Sequence, residues 1–312
     1  MDVFLQVLAL IGGLAVLIAG ADLLVRGAAQ LARVFGLSPF AIGVTVVAFG
    51  TSAPELFASI GSALQNEDEL AIANVVGSNV ANILLILGAG AIMAPIAIHR
   101  RVRLVELPIM LGITLAAAAL LNDSALSRTD GIILFTGLIA YVIFIVRTHK
   151  VEIEHEGEEV VTHPKSAWLD VMMVVLGILA LGLGAKALVY GATGVATRMG
   201  VSSGVIGMTV VALGTSLPEL AATIRAAVGK SSDIAVGNVV GSNIFNLLSV
   251  LGVTAIVHPL TMPDAQFKGI WIMLGVSVGM VILALVKPAM GRLIGGAFLL
   301  LYAVYTLYVF MG

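Results

Sequence analysis

Long apolar runs separated by short polar loops make up most of the 312-residue chain. A helix of about 20 apolar residues crosses the roughly 30 Å of hydrocarbon in a bilayer. Ten runs are of this kind, at residues 3–25, 38–64, 70–97, 104–121, 130–147, 167–190, 202–228, 233–257, 267–286 and 289–311. The pattern predicts an all-α membrane protein with ten transmembrane helices.

The composition supports lipid as the main solvent of this chain. Of its residues, 60% are hydrophobic and 11% are charged, whereas soluble domains are about 45–50% apolar and about 25% charged. The chain has no cysteine, which excludes disulfides, thiolate metal sites and cysteine nucleophiles. The first apolar run follows Met1 and Asp2 without a basic segment, so we expect a retained first span rather than a signal peptide. No basic patch indicates a nucleic-acid partner.

Lysine and arginine are distributed unequally between the two sides that ten helices define. One side holds Arg26, Arg33, Arg100, Arg101, Arg103, Arg147, Lys150, Lys165, Arg225, Lys230, Lys287 and Arg292, and the other holds Arg128, Lys186, Arg198 and Lys268. Basic residues concentrate on the cytoplasmic side of membrane proteins. We therefore expect a multi-pass protein of the cell (inner) membrane, with both termini outside and the hydrophilic loop 148–166 in the cytoplasm.

The chain contains an internal duplication with a constant offset of 164 residues. GADLLVRGAAQLARVFG (20–36) matches GAKALVYGATGVATRMG (184–200), GVTVVAFGTSAPEL (43–56) matches GMTVVALGTSLPEL (207–220), and NVVGSNVAN (74–82) matches NVVGSNIFN (238–246). The offset covers five helices, an odd number, so the second copy enters the membrane from the opposite side. Inverted repeats of this kind are typical of secondary transporters, whose sites lie at mid-membrane on broken helices.

The duplication divides the chain into two five-helix halves, 1–147 and 167–312, joined by the linker 148–166. The strongest similarity lies at 43–88 in the first half and at 207–252 in the second. Asp22 and Lys186 are repeat-equivalent and opposite in charge. Because inversion places them near opposite membrane faces, we predict that they do not pair with each other.

A carboxylate lies near the middle of one span in each half. Glu55 and Glu219 each occur in the motif G-T-S-x-P-E. Pro54 and Pro218 lack an N–H and disrupt the preceding helical turn, so we expect both helices to break there. Hydroxyl groups accompany each break, from Thr51, Ser52, Thr215 and Ser216. Carboxylate, hydroxyl and carbonyl oxygens are hard ligands that suit Na⁺ or Ca²⁺.

A second motif, NVVGSN, occurs without change in both halves and is followed by a further asparagine. Ser78 and Asn82 are four residues apart and share one helix face, as do Ser242 and Asn246. We expect these faces to lie opposite the glutamates. The alternative for these serines and asparagines is helix packing, in which small and amide side chains bind neighbouring helices. Asn74 and Asn238 fit either a lining role or a packing role.

These paired motifs resemble the two α-repeats of the sodium/calcium exchanger family, in the Ca²⁺:cation antiporter superfamily, of the prokaryotic ten-helix type. The resemblance covers the whole chain. It implies that Glu55 and Glu219 are shared anionic ligands in a cluster of cation sites at mid-membrane. It also implies oxygen ligands from the hydroxyls above, from Ser78, Asn82 and Ser242, and from the carbonyls of Ala48 and Ala212. Alternating access would come from sliding of the less tightly packed first and sixth helices against the core that holds the site.

One position departs from the family pattern. Well-known archaeal members carry an aspartate in the second repeat where this chain has Asn246. Two ionised glutamates balance one Ca²⁺, and an empty site with two negative charges in a low dielectric is costly to move between faces. An antiporter that switches only when loaded is therefore expected, with Na⁺ as counter-ion and H⁺ as the alternative. A cation channel is the alternative from another class.

Other functions lack support in the sequence. The chain has no HExxH motif, and its five histidines lie in predicted loops or at helix ends, which argues against an intramembrane enzyme. No cofactor is expected, only the transported ions. The acidic stretch 152–159 lacks the spacing of an EF-hand and is interpreted as a solvated linker. No protein partner is indicated, and a monomer is expected.

Overall fold

The computed structural model describes residues 3–150, 164–200, 212–261 and 267–311, and the described chain is predominantly helical. The helices are α1 (Val3–Val34), α2 (Pro39–Thr51), α3 (Ala53–Ala63), α4 (Asp68–Met93), α5 (Val102–Asp123), α6 (Arg128–Thr148), α7 (Pro164–Arg198), α8 (Ala212–Gly214), α9 (Leu217–Val228), α10 (Ser232–Val257), α11 (Phe267–Val286) and α12 (Arg292–Met311). Four two-residue strands complete it: β1 (Ile96–Ala97), β2 (Ala125–Leu126), β3 (Leu260–Thr261) and β4 (Ala289–Met290).

The helices agree with the predicted spans, with one span only partly described. Eight described helices are long and apolar enough to cross a membrane, and α2 and α3 form a ninth span with a 42° bend. The remaining predicted span, 202–228, begins in residues outside the described ranges and continues through α8 and α9. Most of the predicted linker 148–166 also lies outside the described ranges.

The first helix of each half is longer than predicted. α1 continues to Val34 and α7 to Arg198, although the apolar runs predicted ends near residues 25 and 190. No helix-breaking residue occurs earlier, and each helix stops at a glycine in the left-handed region, Gly36 with φ 59° and Gly200 with φ 81°. Glycine adopts this conformation without a steric penalty, which makes it a common helix terminator. The polar ends of both helices therefore extend beyond the apolar run.

A seam of glycines holds α1 against α7 in an antiparallel pair. Gly13, Gly20 and Gly27 face α7, and their repeat equivalents Gly177, Gly184 and Gly191 face α1. A Cβ atom on Gly184 would lie 2.6 Å from the backbone nitrogen of Leu17. Small residues permit this backbone approach in membranes. The two helices therefore contact each other along most of their length. The expected loose packing concerned their contact with the core, and this seam does not test it.

The centre of the molecule is built from the two similar motifs. α10 is the most enclosed of the candidate spans, with 89% of its most apolar window buried, and α4 follows with 72%. α10 packs so closely on α2 that a Cβ added to Gly237 would lie 2.7 Å from the carbonyl oxygen of Phe40. The described parts of the two broken spans thus pack against the buried helices that carry the NVVGSN motifs.

The strand pairs show the twofold relation between the halves. β1 pairs antiparallel with β4, and β2 pairs antiparallel with β3. The pairs Ile96–Met290 and Leu126–Leu260 occupy equivalent positions in the two ladders, since residues 96 and 260, and 126 and 290, differ by the repeat offset of 164. Each half therefore contributes the same contacts to the other, as inverted repeats require.

Asp22 pairs with arginines rather than with its repeat equivalent. Its carboxylate lies 2.5 Å from Nη2 of Arg225 on α9 and 2.9 Å from Nε of Arg26. No contact joins it to Lys186 among the ion pairs of the described chain. The prediction that Asp22 and Lys186 do not pair is therefore confirmed.

Candidate cation site

Both helices that carry a glutamate are broken at the predicted position. α2 ends at Thr51, Ser52 leaves helical geometry with φ −83° and ψ 3°, and α3 begins with Pro54 in its first turn. Ser216 has φ −86° and ψ 3° before α9, which carries Pro218 in the same place. Glu55 and Glu219 thus lie in the first turns of α3 and α9. Helix N-termini stabilise negative charge, because their N–H groups and dipole point towards it.

The two carboxylates are bound by serines from opposite halves. The Ser52 hydroxyl donates to Oε1 of Glu219 over 3.0 Å, and the Ser216 hydroxyl donates to Oε1 of Glu55 over 3.1 Å. Both glutamates are 1% exposed. The two bonds are related by the repeat, so the breaks lie side by side and exchange hydroxyl groups. The sequence predicted these residues but not this exchange.

The serines and asparagines of the second motif are buried on helices that pack against the two helices carrying the glutamates. Ser78, Asn82, Ser242 and Asn246 are all buried, and the Ser78 hydroxyl lies 3.5 Å from that of Ser216. Each asparagine begins a wider π-type turn, 82–87 in α4 and 246–250 in α10. The first turn packs against α9 and the second against α3. Each asparagine segment therefore contacts the helix that carries the glutamate of the other half.

Several oxygens at this centre have no hydrogen-bond partner in the described chain. They are Oε2 of Glu55, Oε2 of Glu219, the Ser242 and Thr215 hydroxyls and the side-chain oxygens of Asn82 and Asn246. A buried polar group without a partner costs about 1–3 kcal/mol, and more when it is charged. Carboxylate, hydroxyl and amide oxygens are the ligand types that a hard cation binds. Within the described ranges, no three His, Cys, Asp or Glu side chains form a metal cluster.

The two predicted carbonyl ligands differ in what the structure describes. The Ala48 carbonyl accepts from the Ser52 amide over 2.9 Å and lies 3.3 Å from the Thr51 hydroxyl. It therefore lies directly beside the first break. Ala212 begins α8, and the residues before it are outside the described ranges.

Asn74 and Asn238 bind the helices that carry the glutamates. The Asn74 amide donates to the Glu55 carbonyl over 3.2 Å and to the Ser59 hydroxyl over 2.9 Å. The Asn238 amide donates to the Glu219 carbonyl over 3.3 Å and to the Thr223 hydroxyl over 2.9 Å. The sequence left these residues undecided between lining and packing. Their spacing, four residues before Ser78 and Ser242, was the available signal that they share the polar face.

Comparison with known proteins agrees with this arrangement. A family model described as sodium/calcium exchanger protein matches residues 5–147 and 169–311. The inner membrane protein YrbG of Escherichia coli (strain K12) is 37% identical over 296 residues, which cover 92% of this chain and 91% of the relative. The sodium/calcium exchanger MaX1 of Methanosarcina acetivorans is 30% identical over 299 residues, covering 82% and 84%. A structure of the sodium-calcium exchanger NCX_Mj, soaked with zero Na⁺ and Ca²⁺, superimposes with a TM-score of 0.88 at 30% identity over 99% of this chain and 100% of that one. The chain is therefore a multi-pass membrane protein of the sodium/calcium exchanger family, a family of transporters rather than enzymes.

Proposed function

We propose that this protein exchanges Ca²⁺ for Na⁺ across the membrane by alternating access, with Glu55 and Glu219 as the shared cation ligands. The observation that carries the proposal is the pair of buried carboxylates at the two helix breaks. Each has one oxygen held by a serine of the other half and one oxygen without a partner. This leaves two anionic oxygens to bind the cations.

The neutral oxygens complete the proposed ligand set. Ca²⁺ takes 6–8 oxygen ligands, and two carboxylates alone cannot supply them. The contacts of Ser52 and Ser216 with the glutamates, and of Ser216 with Ser78, support further ligands from the two breaks and the second motif. In this proposal they contribute ligands, with the carbonyls of Ala48 and Ala212 serving Na⁺. Residues in this role are Thr51, Ser52, Thr215, Ser216, Ser78, Asn82, Ser242 and Asn246.

Charge explains why the cycle is an exchange. Two ionised glutamates in a buried site are neutralised by one Ca²⁺, or by Na⁺ ions that bind the same carboxylates. The site without cations carries two uncompensated charges, and intramembrane charges cost several kcal/mol each. The protein therefore changes its open side only when loaded, which couples the two ion fluxes. Protons could also neutralise the glutamates, but they need none of the neutral oxygens.

The proposed setting follows from the charge distribution of the loops. The basic side faces the cytoplasm by the positive-inside rule, so both termini lie outside and the 148–166 linker lies inside. The YrbG relative is an inner membrane protein, and we propose the same membrane here. The protein acts as a monomer without a cofactor.

Uptake of ⁴⁵Ca²⁺ into proteoliposomes tests the function. Vesicles loaded with Na⁺ and diluted into Na⁺-free buffer should take up Ca²⁺, and Glu219→Gln and Glu55→Gln should each abolish this uptake. The control is Glu106→Gln. Glu106 is another fully buried carboxylate, and its Oε1 lies 2.8 Å from Nε2 of His149 rather than at a helix break. It should retain Na⁺-driven uptake.

The same vesicles separate the alternatives. Uptake driven by a pH jump without Na⁺ would make the protein a proton-coupled antiporter. Uptake that needs no counter-ion and does not saturate would indicate a channel. Unchanged uptake in both glutamine variants would overturn the site assignment.

A further inference from the structure

Asn238 connects the two halves of the candidate site through a single amide group. The residue is fully buried in α10, four positions before Ser242. Its Nδ2 donates to the Thr223 hydroxyl and to the Glu219 carbonyl of its own half. Its Oδ1 accepts from the hydroxyl of Thr51, in the break of the other half, over 3.2 Å. The side chain therefore uses both its donor and its acceptor groups.

The surrounding groups fix which way this amide points. The Glu219 carbonyl can only accept a hydrogen bond, so it must face Nδ2 and not Oδ1. The amide oxygen is then turned towards Thr51, and the Thr51 hydroxyl must donate its hydrogen. A hydroxyl group that donates its hydrogen to Asn238 keeps its oxygen lone pairs free to bind a cation.

The repeat counterpart lacks the second half of this connection. Asn74 makes the same two donor bonds, to Ser59 and to the Glu55 carbonyl. Thr215 is the equivalent of Thr51, but its buried Oγ1 has no hydrogen-bond partner in the described chain. The donor side of the two asparagines is therefore symmetric and the acceptor side is not.

We propose that Asn238 is a positioning residue that holds the Thr51 hydroxyl as a preorganised cation ligand, and that Asn74 has no such role towards Thr215. Asn238 contacts no cation itself in this proposal. The two threonines then differ as ligands despite the sequence repeat, because only the Thr51 hydroxyl is held by an asparagine of the other half. The inference rests on the proposed function, since it assigns a role within the same site.

The neighbouring Ala48 carbonyl does not replace Asn238. It lies 3.3 Å from the Thr51 hydroxyl, on the same helix three residues earlier. It also accepts the Ser52 amide hydrogen. A bond within one helix cannot set the position of Thr51 relative to the other half. Asn238 supplies that cross-half contact.

A double-mutant cycle tests the proposal, with the apparent KM for Ca²⁺ and the maximal uptake rate measured for each variant. Asn238→Ala and Thr51→Val should each raise KM at least about fivefold, because each loses at least the hydrogen bond between the two residues, with a smaller effect on maximal rate. The increase in KM of the double variant should be smaller than the product of the two single increases, because the bond between Asn238 and Thr51 is lost in all three variants. In a Thr51→Ser background, which keeps the hydroxyl, Asn238→Ala should still raise KM.

The control cycle uses Asn74→Ala and Thr215→Val. The KM increase of this double variant should equal the product of the two single-variant increases to within about twofold, as expected for groups that do not interact. If Asn238→Ala yields no folded protein, Asn238→Ser replaces it, since the shorter side chain still loses the Thr51 contact. Independent effects of Asn238 and Thr51, or equal coupling in both cycles, would overturn the proposal.

Equilibrium binding of ⁴⁵Ca²⁺ to the same purified variants keeps this test separate from the proposed function. Wild-type uptake that does not depend on Na⁺ would overturn the exchange proposal, yet the coupling between Asn238 and Thr51 would still be visible in Ca²⁺ binding. Additive binding effects together with intact Na⁺-driven uptake would overturn only the role of Asn238.

Discussion

Each central glutamate has one oxygen bound by the protein and one oxygen without a partner in the described chain. One oxygen of Glu55 accepts from Ser216 and one of Glu219 accepts from Ser52, while Oε2 of each has no partner. Beside them, Asn82 and Asn246 offer neutral amide oxygens instead of further carboxylates. The formal charge of the centre is therefore minus two when both glutamates are ionised, which matches one Ca²⁺ without excess.

Adding a carboxylate at position 246 should disturb this balance. We expect Asn246→Asp to slow Ca²⁺ uptake when the new carboxylate is ionised, because the Ca²⁺-loaded site then keeps one uncompensated negative charge. Such a charge at mid-membrane costs about 2.5–3.5 kcal/mol on insertion scales, which permits a rate loss of about a hundredfold. The ratio of variant to wild-type uptake should be highest in acidic buffer, where the carboxylate is protonated, and should fall as pH rises.

Two matched variants show whether charge is the cause. Asn246→Ser changes the side chain without adding charge and should give a ratio to wild type that does not vary with pH. Asn82→Asp adds the charge at the repeat-equivalent position and should show the same pH trend as Asn246→Asp. A ratio that is flat with pH in both aspartate variants would argue against charge balance as the limit on switching.

The sequence was sufficient to propose the residues of the candidate site but not their hydrogen-bond partners. Glu55 and Glu219 could be identified because each follows a proline inside an apolar span and because each occurs in both copies. The bond from Ser52 to Glu219 could not be derived, since it depends on how the two halves pack. The same holds for Thr51 and Asn238, whose contact has no counterpart between Thr215 and Asn74 in the described chain.

At the scale of single elements, the glycine seam decides how α1 and α7 behave. The six glycines recur every seven residues on each helix, which keeps them on one face along both helices. The apolar pattern predicted two spans here but gave no indication that they contact each other. Their lengths were also missed, because the ends at Gly36 and Gly200 lie beyond the apolar runs. A backbone contact of this length favours movement of the two helices as one unit.

Adding a single methyl group in the seam should destabilise the protein. The Cβ atom introduced by Gly184→Ala would lie 2.6 Å from the Leu17 nitrogen, so the helices must move apart. Overpacking of this kind costs about 1–3 kcal/mol, which exceeds the gain of about 0.5–1 kcal/mol from replacing glycine by alanine in a helix. We expect a lower midpoint of thermal unfolding for the purified protein in detergent.

Gly182→Ala is the matched control, two residues away on the same helix. A Cβ there meets no atom of the described chain within 4 Å, so the helix propensity gain should act alone. The control should be as stable as the wild type or slightly more stable. Equal destabilisation by both variants would show that the seam is not the cause.

At the scale of the whole molecule, the repeat is broken by one ion-pair cluster. Asp22 on α1 is bonded to Arg225 on α9 and to Arg26. The repeat equivalents of these residues are Lys186, Gly61 and Tyr190, which cannot form the same cluster. The α1–α7 pair is therefore tied to α9 at one membrane face by a contact that the repeat does not reproduce at the other. We propose, from the positive-inside rule, that this face is the cytoplasmic one.

If α1 and α7 move together against the centre during alternating access, the Asp22–Arg225 contact must break when the cytoplasmic side opens. We expect Asp22→Asn and Arg225→Gln to increase cytoplasmic opening about fivefold, the value of a partly exposed ion pair of about 1 kcal/mol. The chain has no cysteine, so Ala226→Cys, fully buried beside Arg225, can report opening by its labelling rate with a membrane-impermeant thiol reagent. The variant with both Asp22→Asn and Arg225→Gln should label no faster than the faster single variant, because the Asp22–Arg225 pair is lost in all three. Lys186→Gln should leave the rate unchanged, and an equal increase in that variant would show that the effect does not come from the Asp22 cluster.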